Sequence, residues 1–294
     1  MTMTKKTFKL TNARLRQAQK LGEEISELHN QDTLPVDPFG IARSERPLLK
    51  LVAEDFGDAF DGQLEYHRRE NRFILFLNTK YDSVTGGVHR RTRFSLGHEL
   101  GHYFLEGHRA YLMGGGKSHG SASEFRSDAT VEREADAFAA GLMMPSSLVR
   151  SIINRTEPTF DRILEAAESF DMSVLSTAIR TVQLSDFPCA LVGIQQRCVA
   201  WTFPSESLIE GGCYPAERGG SVSETPSAQW EEFRLGVADR HSSGGRVGDW
   251  FRTYDRDDLD SLYVQEEYFP VPVMDTLLVL LTVAEDGLFE DSDD

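Results

Sequence analysis

The chain has 294 residues, of which 40% are hydrophobic and 10% aromatic, and its formal net charge is −16. This length supports one large or two modest domains, and the excess of acidic residues argues against non-specific DNA binding, which depends on neutralising phosphates. No apolar run reaches the length of a membrane span, and three cysteines without a CxxC motif argue against a disulfide framework or a cysteine zinc site, so a cytoplasmic protein is expected.

The first eighty residues are predicted to form two helices and a β-hairpin. Apolar residues recur at helical spacing over residues 11–30, and residues 39–56 are typical of a second helix interrupted near Pro47. Residues 64–78 predict a hairpin whose second strand, 73–77, is strongly apolar. This strand is interpreted either as an edge strand that holds the backbone of a substrate or as an interior strand of the sheet.

His98 and His102 stand four residues apart in an HExxH pattern, on a helix predicted over about residues 93–105. Histidines at this spacing project from one face of a helix, so both imidazoles can reach a single zinc ion. Glu99 between them is then placed to take a proton from a metal-bound water. Because three fixed letters also occur by chance on surface helices, the motif needs support from elsewhere in the chain.

A second predicted helix, at residues 131–142, supplies carboxylates about thirty residues downstream. Glu132 and Asp136 are four apart and share one face of this helix. Two histidines and one carboxylate, with a fourth position open for water, form a recurring zinc site of hydrolases, which makes Glu132 the candidate third ligand. Asp136 is a candidate for accepting the free ring N–H of a ligating histidine and fixing its tautomer. The alternative is a solvated charged face, an interpretation that fits Glu134 best.

His108 is a rival third ligand, because the metzincin pattern HExxHxxGxxH has a histidine six residues after the second one. That geometry needs a glycine that breaks the helix at the position of Leu105, whereas the glycine here is Gly107. On an uninterrupted helix His108 lies about 9 Å further along the axis than His102, at about 1.5 Å per residue. His108 is therefore predicted to be a helix-end residue near the negative end of the dipole.

The segment between the two candidate helices, residues 113–123, is rich in glycine and serine. This composition predicts a mobile loop, interpreted as a lid or substrate-contacting loop, with a surface insertion as the alternative. Tyr111 and His119 are candidates for stabilising the oxyanion of a tetrahedral intermediate, and their spacing favours neither.

Four segments in chain order share one resemblance: PVDP at 35–38, FILFLN at 73–78, RTRFSLGHELGH at 91–102 and EREADAFAAGLMMP at 132–145. Together they resemble the ImmA/IrrE family of bacterial metallopeptidases, over about residues 10–185. The resemblance implies a zincin-like metallopeptidase domain, assigned to residues 1–145. It also implies a set of gluzincin metal ligands: His98, His102 and Glu132.

The resemblance further implies that Glu99 is the general base and that Zn²⁺ is the cofactor, for which Mn²⁺ can substitute. Some family members cleave a helix-turn-helix repressor and so switch on stress-response or mobile-element genes, so the expected partner is a DNA-binding repressor. Asp136 departs from the family, which often has asparagine there, but either residue can hydrogen-bond a ligand histidine. The alternative is a regulatory protein that keeps the zincin fold and sequesters its partner without cutting it.

Residues 146–185 are assigned to a helical extension. Its two short amphipathic helices, at 159–170 and 173–183, resemble a helix-turn-helix in outline. Because acidic residues outnumber basic ones there, the extension is expected to pack against the catalytic domain and not to bind nucleic acid.

After residue 185 the sequence changes to apolar strand patterns, separated by a long polar stretch: 190–194, 199–203 and 274–283. They predict a smaller, mainly β or α+β domain over residues 186–285, with a regulatory role by loose analogy. The acidic tail, residues 286–294, is predicted to be disordered. The fold class predicted for the whole chain is α+β.

Overall fold

The computed structural model describes four stretches of the chain: residues 2–29, 33–116, 130–254 and 256–289. Helices and strands are both present and largely segregated, so the predicted α+β class is confirmed. Contacts divide the chain into two compact units: Met1–Leu148 with Ala167–Ser173, and Val149–Ala166 with Val174–Asp294. The domain boundaries at residues 145 and 185 stay predictions.

The first unit is built from helices around a small sheet. Its elements up to residue 143 are α1 (Thr2–Leu28), α2 (Pro38–Ser44), β1 (Leu49–Glu54), β2 (Gly62–His67), β3 (Arg72–Asn78), α3 (Arg90–Phe104), α4 (Glu106–Met113) and α5 (Thr130–Met143). None of the helices in the described stretches combines the length and the apolar character needed to cross a membrane.

The sheet of the first unit has the strand order β1-β3-β2. β2 and β3 form the predicted antiparallel hairpin, with Leu64 opposite Leu75. β1 runs parallel to β3, with Leu49 opposite Phe73. The helix expected over residues 39–56 is therefore wrong, and of the two interpretations of strand 73–77 the interior one holds. The helix predicted over residues 39–56 ends at Ser44, and the remainder includes a strand. β3 is the interior strand of the sheet and not an edge, so an edge strand must be sought in β1 or β2.

The apolar core of the first unit lies between this sheet and helices α1, α3 and α5. α1 and α5 cross closely because each has a glycine at the crossing point. A Cβ atom at Gly141 would collide with the carbonyl oxygen of Gln19, and one at Gly22 would collide with that of Phe138. The two helices therefore pack backbone to backbone, which holds α5 in place beneath α1.

The rest of the chain alternates helices with strands. Its elements are α6 (Ser146–Ile153), α7 (Phe160–Phe170), α8 (Val174–Leu184), β4 (Cys189–Gln195), β5 (Cys198–Pro204), α9 (Glu206–Glu210), β6 (Tyr214–Pro215), α10 (Glu224–Arg234), β7 (His241–Arg246), α11 (Val247–Trp250), β8 (Phe251–Arg252), β9 (Tyr263–Val271), β10 (Thr276–Val283) and α12 (Glu285–Leu288), with short 3₁₀ helices at Asp257–Ser261 and Pro272–Met274.

A five-stranded antiparallel sheet of order β5-β4-β10-β9-β7 forms the centre of the second unit. Every residue of β10 is buried. Its alternate side chains enter two different core clusters, Leu277 and Val279 on one face of the sheet and Leu278 and Leu280 on the other. Burial on both faces explains why this strand is an unbroken apolar run.

The helices predicted as an extension contribute to the core of this second unit. Phe160 and Ile163 of α7, and Ala178 and Val182 of α8, pack in the cluster that contains Leu280. The expected packing against the metallopeptidase domain holds for the end of α7, because residues Ala167–Ser173 group with the first unit and Glu168 pairs with Arg90 of α3. The apolar residues named above are explained by packing on the sheet.

The end of the chain is ordered further than the sequence suggested. Helix α12 covers the start of the acidic segment, and Leu288 is buried in the core of the second unit. Residues 290–294 lie outside the described residues, as does the part of the glycine- and serine-rich loop from residue 117 to 129.

Candidate metal centre

Helix α3 presents the HExxH residues on a buried face. It begins at Arg90, three residues earlier than predicted, after His89, whose Nδ1 accepts the backbone N–H of Arg91 at 3.1 Å. His98, Glu99 and His102 are all buried. The two imidazoles face each other one helical turn apart, with 3.1 Å between their Nε2 atoms. Because both histidines are buried side by side, the alternative of a chance HExxH pattern on a surface helix does not apply.

Small residues bring helix α5 against helix α3. Gly97 and Gly101 of α3 face Ala139 and Ala135 of α5, and a Cβ atom at Gly101 would lie only 3.1 Å from the Cα atom of Ala135. The close approach places the first turn of α5 beside the two histidines. Ala135, Phe138, Ala139 and Leu142 of α5 form a buried apolar stripe, because they face this contact and the core.

Glu132, in the first turn of α5, completes a group of three candidate ligands. One carboxylate oxygen lies 3.2 Å from Nε2 of His98, and the other lies 3.7 Å from Nε2 of His102. The ligand atoms of the three residues all lie within 4.8 Å of one another. The structure therefore brings His98, His102 and Glu132 together, as the spacing in the sequence anticipated.

The distances within this group fit a small tetrahedral ion. Ligand atoms about 2.0–2.1 Å from a tetrahedral zinc are about 3.3 Å apart. The Nε2 atoms of His98 and His102 are 3.1 Å apart, and they lie 3.2 and 3.7 Å from different oxygens of the Glu132 carboxylate. Two imidazole nitrogens and a carboxylate are also the donor types that zinc prefers in hydrolases. These residues can hold a zinc ion with little movement of their side chains.

Asp136 supports His98 from behind. Its Oδ1 lies 2.8 Å from Nδ1 of His98, the ring nitrogen that faces away from the ligand group. A carboxylate here accepts the Nδ1–H and leaves the lone pair of Nε2 directed at the centre of the group. This is the contact that the four-residue spacing from Glu132 to Asp136 predicted.

The half-buried carboxylates of Glu132 and Asp136 make the centre favour positive charge. Burial opposes a charge on His98, but hydrogen bonds with Asp136 and Glu132 outweigh it and raise the pKa of His98 to about 10. Burial likewise opposes the carboxylate of Glu132, yet hydrogen bonds from His102 and His98 hold its pKa well below the ordinary value. A site with this balance accommodates a cation.

His108 occupies a place that sequence reasoning missed. α3 ends at Phe104 and α4 begins at Glu106, so the chain breaks at Leu105 and does not continue as one helix. His108 is consequently buried beside His102, with 3.0 Å between their Nδ1 atoms. The interpretation as a helix-end residue is wrong. His108 is also absent from the ligand group, because it meets the ring nitrogen of His102 that faces away from that group.

Glu134 is the partner of His108 on the other side. Its Oε2 lies 2.9 Å from Nε2 of His108, and the carboxylate is only 4% exposed. The interpretation of Glu134 as a solvated residue is therefore wrong. Burial lowers the pKa of His108, against the opposing effect of the Glu134 hydrogen bond. No local sequence signal marks this pair, because it depends on the break at Leu105.

Glu99 lies beside the ligand group and against the sheet. The residue is only 1% exposed, and its carboxylate is in contact with Gly62, the first residue of β2. β2 is an outer strand of the sheet. Glu99, the candidate general base, thus lies between helix α3 and the outer strand β2. The two histidines of the motif belong to the ligand group instead.

Neither candidate for oxyanion stabilisation gains support. Tyr111 on α4 is mostly exposed, and its ring lies against the backbone at Gly116. His119 lies outside the described residues, together with most of the loop that was interpreted as a lid.

An HExxH helix crossed by a second helix that supplies a glutamate defines a candidate hydrolytic metal centre in an α+β protein. Residues 49–181 match the family model Peptidase_M78, described as the IrrE N-terminal-like domain. Over this segment the chain is similar to that family, so the resemblance to ImmA/IrrE proteins is confirmed there. All five residues predicted for the site lie within the matched segment.

Comparison with solved structures gives a likeness over most of the chain. A Mycobacterium tuberculosis transcriptional regulator matches with a TM-score of 0.55 and 11% sequence identity, covering 95% of this chain and 81% of that one. At this identity the likeness concerns the fold alone. No curated protein matches the sequence.

Proposed function

We propose that the protein is a zinc-dependent endopeptidase that cuts a peptide bond in a protein substrate. The observation that carries this proposal is the group of buried His98, buried His102 and half-buried Glu132, whose ligand atoms lie within 4.8 Å of one another beside Glu99. Similarity of the matched segment to a metallopeptidase family supports it. Manganese is the alternative occupant, because the same donor set accepts it.

In this proposal His98, His102 and Glu132 hold the ion, and Asp136 orients His98 through the 2.8 Å hydrogen bond to Nδ1. A zinc ion held by these residues would supply Lewis-acid chemistry, making the scissile carbonyl more electrophilic and water acidic enough to lose a proton near neutral pH. Glu99 accepts the proton of the attacking water at its carboxylate and passes it to the leaving amine. Burial of Glu99 excludes bulk water from this proton transfer.

The outer strand β2 is the proposed guide for the substrate backbone. The strand considered from the sequence, β3, cannot take this role because both of its edges are already paired within the sheet. An extended peptide that adds to β2 by main-chain hydrogen bonds passes Glu99, because Gly62 at the start of the strand contacts that carboxylate. Strand addition also explains how one enzyme selects an extended segment of a folded protein.

We propose a DNA-binding repressor as the substrate. The net charge of −16 favours a basic partner over long range, and DNA-binding proteins carry the required positive charge. The three cysteines are unpaired, which agrees with a reducing compartment such as the cytoplasm, where such a repressor works.

A sequestering regulator is the second candidate function. The observation that favours it is the likeness of fold to a protein named as a transcriptional regulator. In this alternative the partner binds beside the metal centre and is released without being cut. The two functions differ in one measurable product, a cleaved partner.

The experiment that tests the proposal is capture of the substrate with zinc-loaded Glu99→Gln protein from a lysate of the source organism, read by mass spectrometry. Glu99→Gln is expected to keep zinc and lose turnover, whereas His102→Ala is expected to lose both. A regulator that is enriched on Glu99→Gln, and cut by wild type but not by His102→Ala, supports the endopeptidase. A partner that stays intact with wild type supports sequestration, and full activity of Glu99→Gln contradicts the role of Glu99.

A further inference from the structure

A chain of three hydrogen-bonded groups leads from His102 to the N-terminal helix. Nδ1 of His102 lies 3.0 Å from Nδ1 of His108, and Nε2 of His108 lies 2.9 Å from Oε2 of Glu134. Arg14 on α1 donates from Nη2 to the same Oε2 at 3.0 Å, and its Nε contacts the other oxygen. The chain therefore ends on a carboxylate that forms an ion pair with one guanidinium.

The break at Leu105 creates this arrangement. The residue is extended, with φ −70° and ψ 112°, and its N–H still bonds to the carbonyl oxygen of Gly101. α4 starts at the next residue in a new direction and carries His108 back to His102. A continuous helix would direct His108 elsewhere, as the spacing argument from the sequence assumed.

One assignment of protons satisfies the whole chain when Nε2 of His102 is a metal ligand. The ring proton of His102 is then on Nδ1 and must be donated to Nδ1 of His108. His108 consequently carries its own proton on Nε2 and donates it to Glu134. Glu134 only accepts, from His108 and from Arg14. In this assignment every hydrogen bond of the chain has one donor and one acceptor.

We propose that His108 is a positioning residue that fixes the tautomer and ring orientation of His102 for the metal, with Glu134 and Arg14 anchoring it. The inference rests on the proposed metal site. It makes the two ligand histidines unequal, because His98 meets the carboxylate of Asp136 directly and His102 meets its carboxylate through a second imidazole. His108 supports a ligand here and is not a ligand itself.

The N-terminal helix becomes part of the metal centre in this inference. Arg14 lies outside residues 49–181, the segment that matches the family model. The family domain alone therefore lacks the last member of the chain. Arg14 is 55% exposed and Glu134 is buried, so the guanidinium closes the chain from the solvent side.

The test is the zinc dissociation constant of the full chain, measured by competition with a chromophoric chelator. His108→Leu and His108→Asn are a matched pair with the same branching at Cγ, and only asparagine offers an acceptor near the position of Nδ1. We expect His108→Leu to bind zinc roughly 10–100-fold more weakly than wild type, and His108→Asn to recover most of that loss. His241→Leu, which removes an exposed imidazole in the second unit, is the control and should leave the constant unchanged.

A double-variant comparison shows whether the groups act as one chain. His108→Leu and Glu134→Gln should be non-additive, because each interrupts the same support of His102. His108→Leu and Asp136→Ala should be additive, because they remove the supports of different histidines. Should His108→Leu fold poorly, Arg14→Gln at the exposed end gives the same comparison with Glu134→Gln at lower risk to the core.

Nitrogen-15 NMR of zinc-loaded wild type tests the proton assignment without any substitution. We expect protonated Nδ1 in His102 and protonated Nε2 in His108. Equal zinc affinity in His108→Leu and wild type, or a proton on Nδ1 of His108, overturns the inference while the metal site stands. If wild type does not bind zinc, the proposed function itself fails. This outcome is distinct from failure of the inference about His108, in which wild type binds zinc normally.

Discussion

Gly62 of β2 lies directly against the carboxylate of Glu99 on α3. A Cβ atom at position 62 would be 2.7 Å from Cγ and 2.9 Å from Oε1 of Glu99, closer than real Cβ atoms approach other atoms. Any side chain at this position therefore displaces Glu99 or the strand. The glycine fixes where the carboxylate can lie, and it does so at the end of β2 where a substrate strand is proposed to pass.

Gly62→Ala should lower peptidase activity about 100-fold while zinc content stays at the wild-type level, because small displacements of a reacting group have effects of this size. The measurement is kcat/KM on the captured substrate together with zinc stoichiometry. Gly107→Ala is the matched control, since a Cβ atom there meets no atom within 4 Å. Loss of zinc together with activity in Gly62→Ala would contradict the prediction and assign the glycine to support of the ligands.

Gly141→Ala should lower the free energy of unfolding by about 1–3 kcal/mol, the usual effect of overpacking. The added methyl group collides with the carbonyl oxygen of Gln19, so α1 and α5 must separate. Urea denaturation of the metal-free protein measures the change. In Gly107→Ala, by contrast, the same methyl group on an exposed helix should leave stability unchanged or raise it by up to about 1 kcal/mol. Equal effects in the two variants would show that α1 and α5 do not pack tightly in solution.

Local periodicity explains which parts of the fold could be predicted. Helices α3 and α5 and the β2–β3 hairpin appear in the sequence as short apolar repeats, and their bounds differ from the prediction by a few residues. The ligand group follows from two such helices, because the spacing from His98 to His102 and from Glu132 to Asp136 each sets one face. The helix contact that joins the two faces depends on small residues such as Gly101 and was not foreseen.

The errors share a different cause. Residues 49–54 were predicted as helix because an apolar pattern over so short a run fits a helix and a strand equally well. They form a strand because they pair in parallel with β3. His108 was predicted at a helix end and Glu134 on a solvated face, because nothing in the sequence marks the break at Leu105. In both cases the deciding contact is between residues far apart in the chain, where local patterns carry no information.

Tyr268→Phe should destabilise the second unit by roughly 1–3 kcal/mol, the cost of removing a hydrogen bond from a buried carboxylate. Glu266 is 1% exposed and accepts from Tyr268, Trp250 and Ser243, each at 2.7 Å. Tyr263→Phe is the control, because that side chain is 61% exposed and bonds only to Gln265 among the contacts described. Its effect should stay within about 0.5 kcal/mol. Thermal or urea unfolding followed by tryptophan fluorescence measures both, and similar values would show that Glu266 is solvated.

Cysteine alkylation should distinguish the three thiols of the second unit. Burial raises the pKa of Cys189 to about 11 and that of Cys213 to about 11, so at pH 8 only about 0.1% of either is the reactive thiolate. Cys198, half-buried at the start of β5, has better access to reagent. Iodoacetamide at pH 8 should therefore label Cys198 first, and label the other two at comparable rates only in urea, as read by peptide mass spectrometry. Cys198→Ser should remove the native signal. Rapid native labelling of Cys189 would show that β4 opens to solvent, because raising the pH alone cannot expose a thiol at the centre of the core.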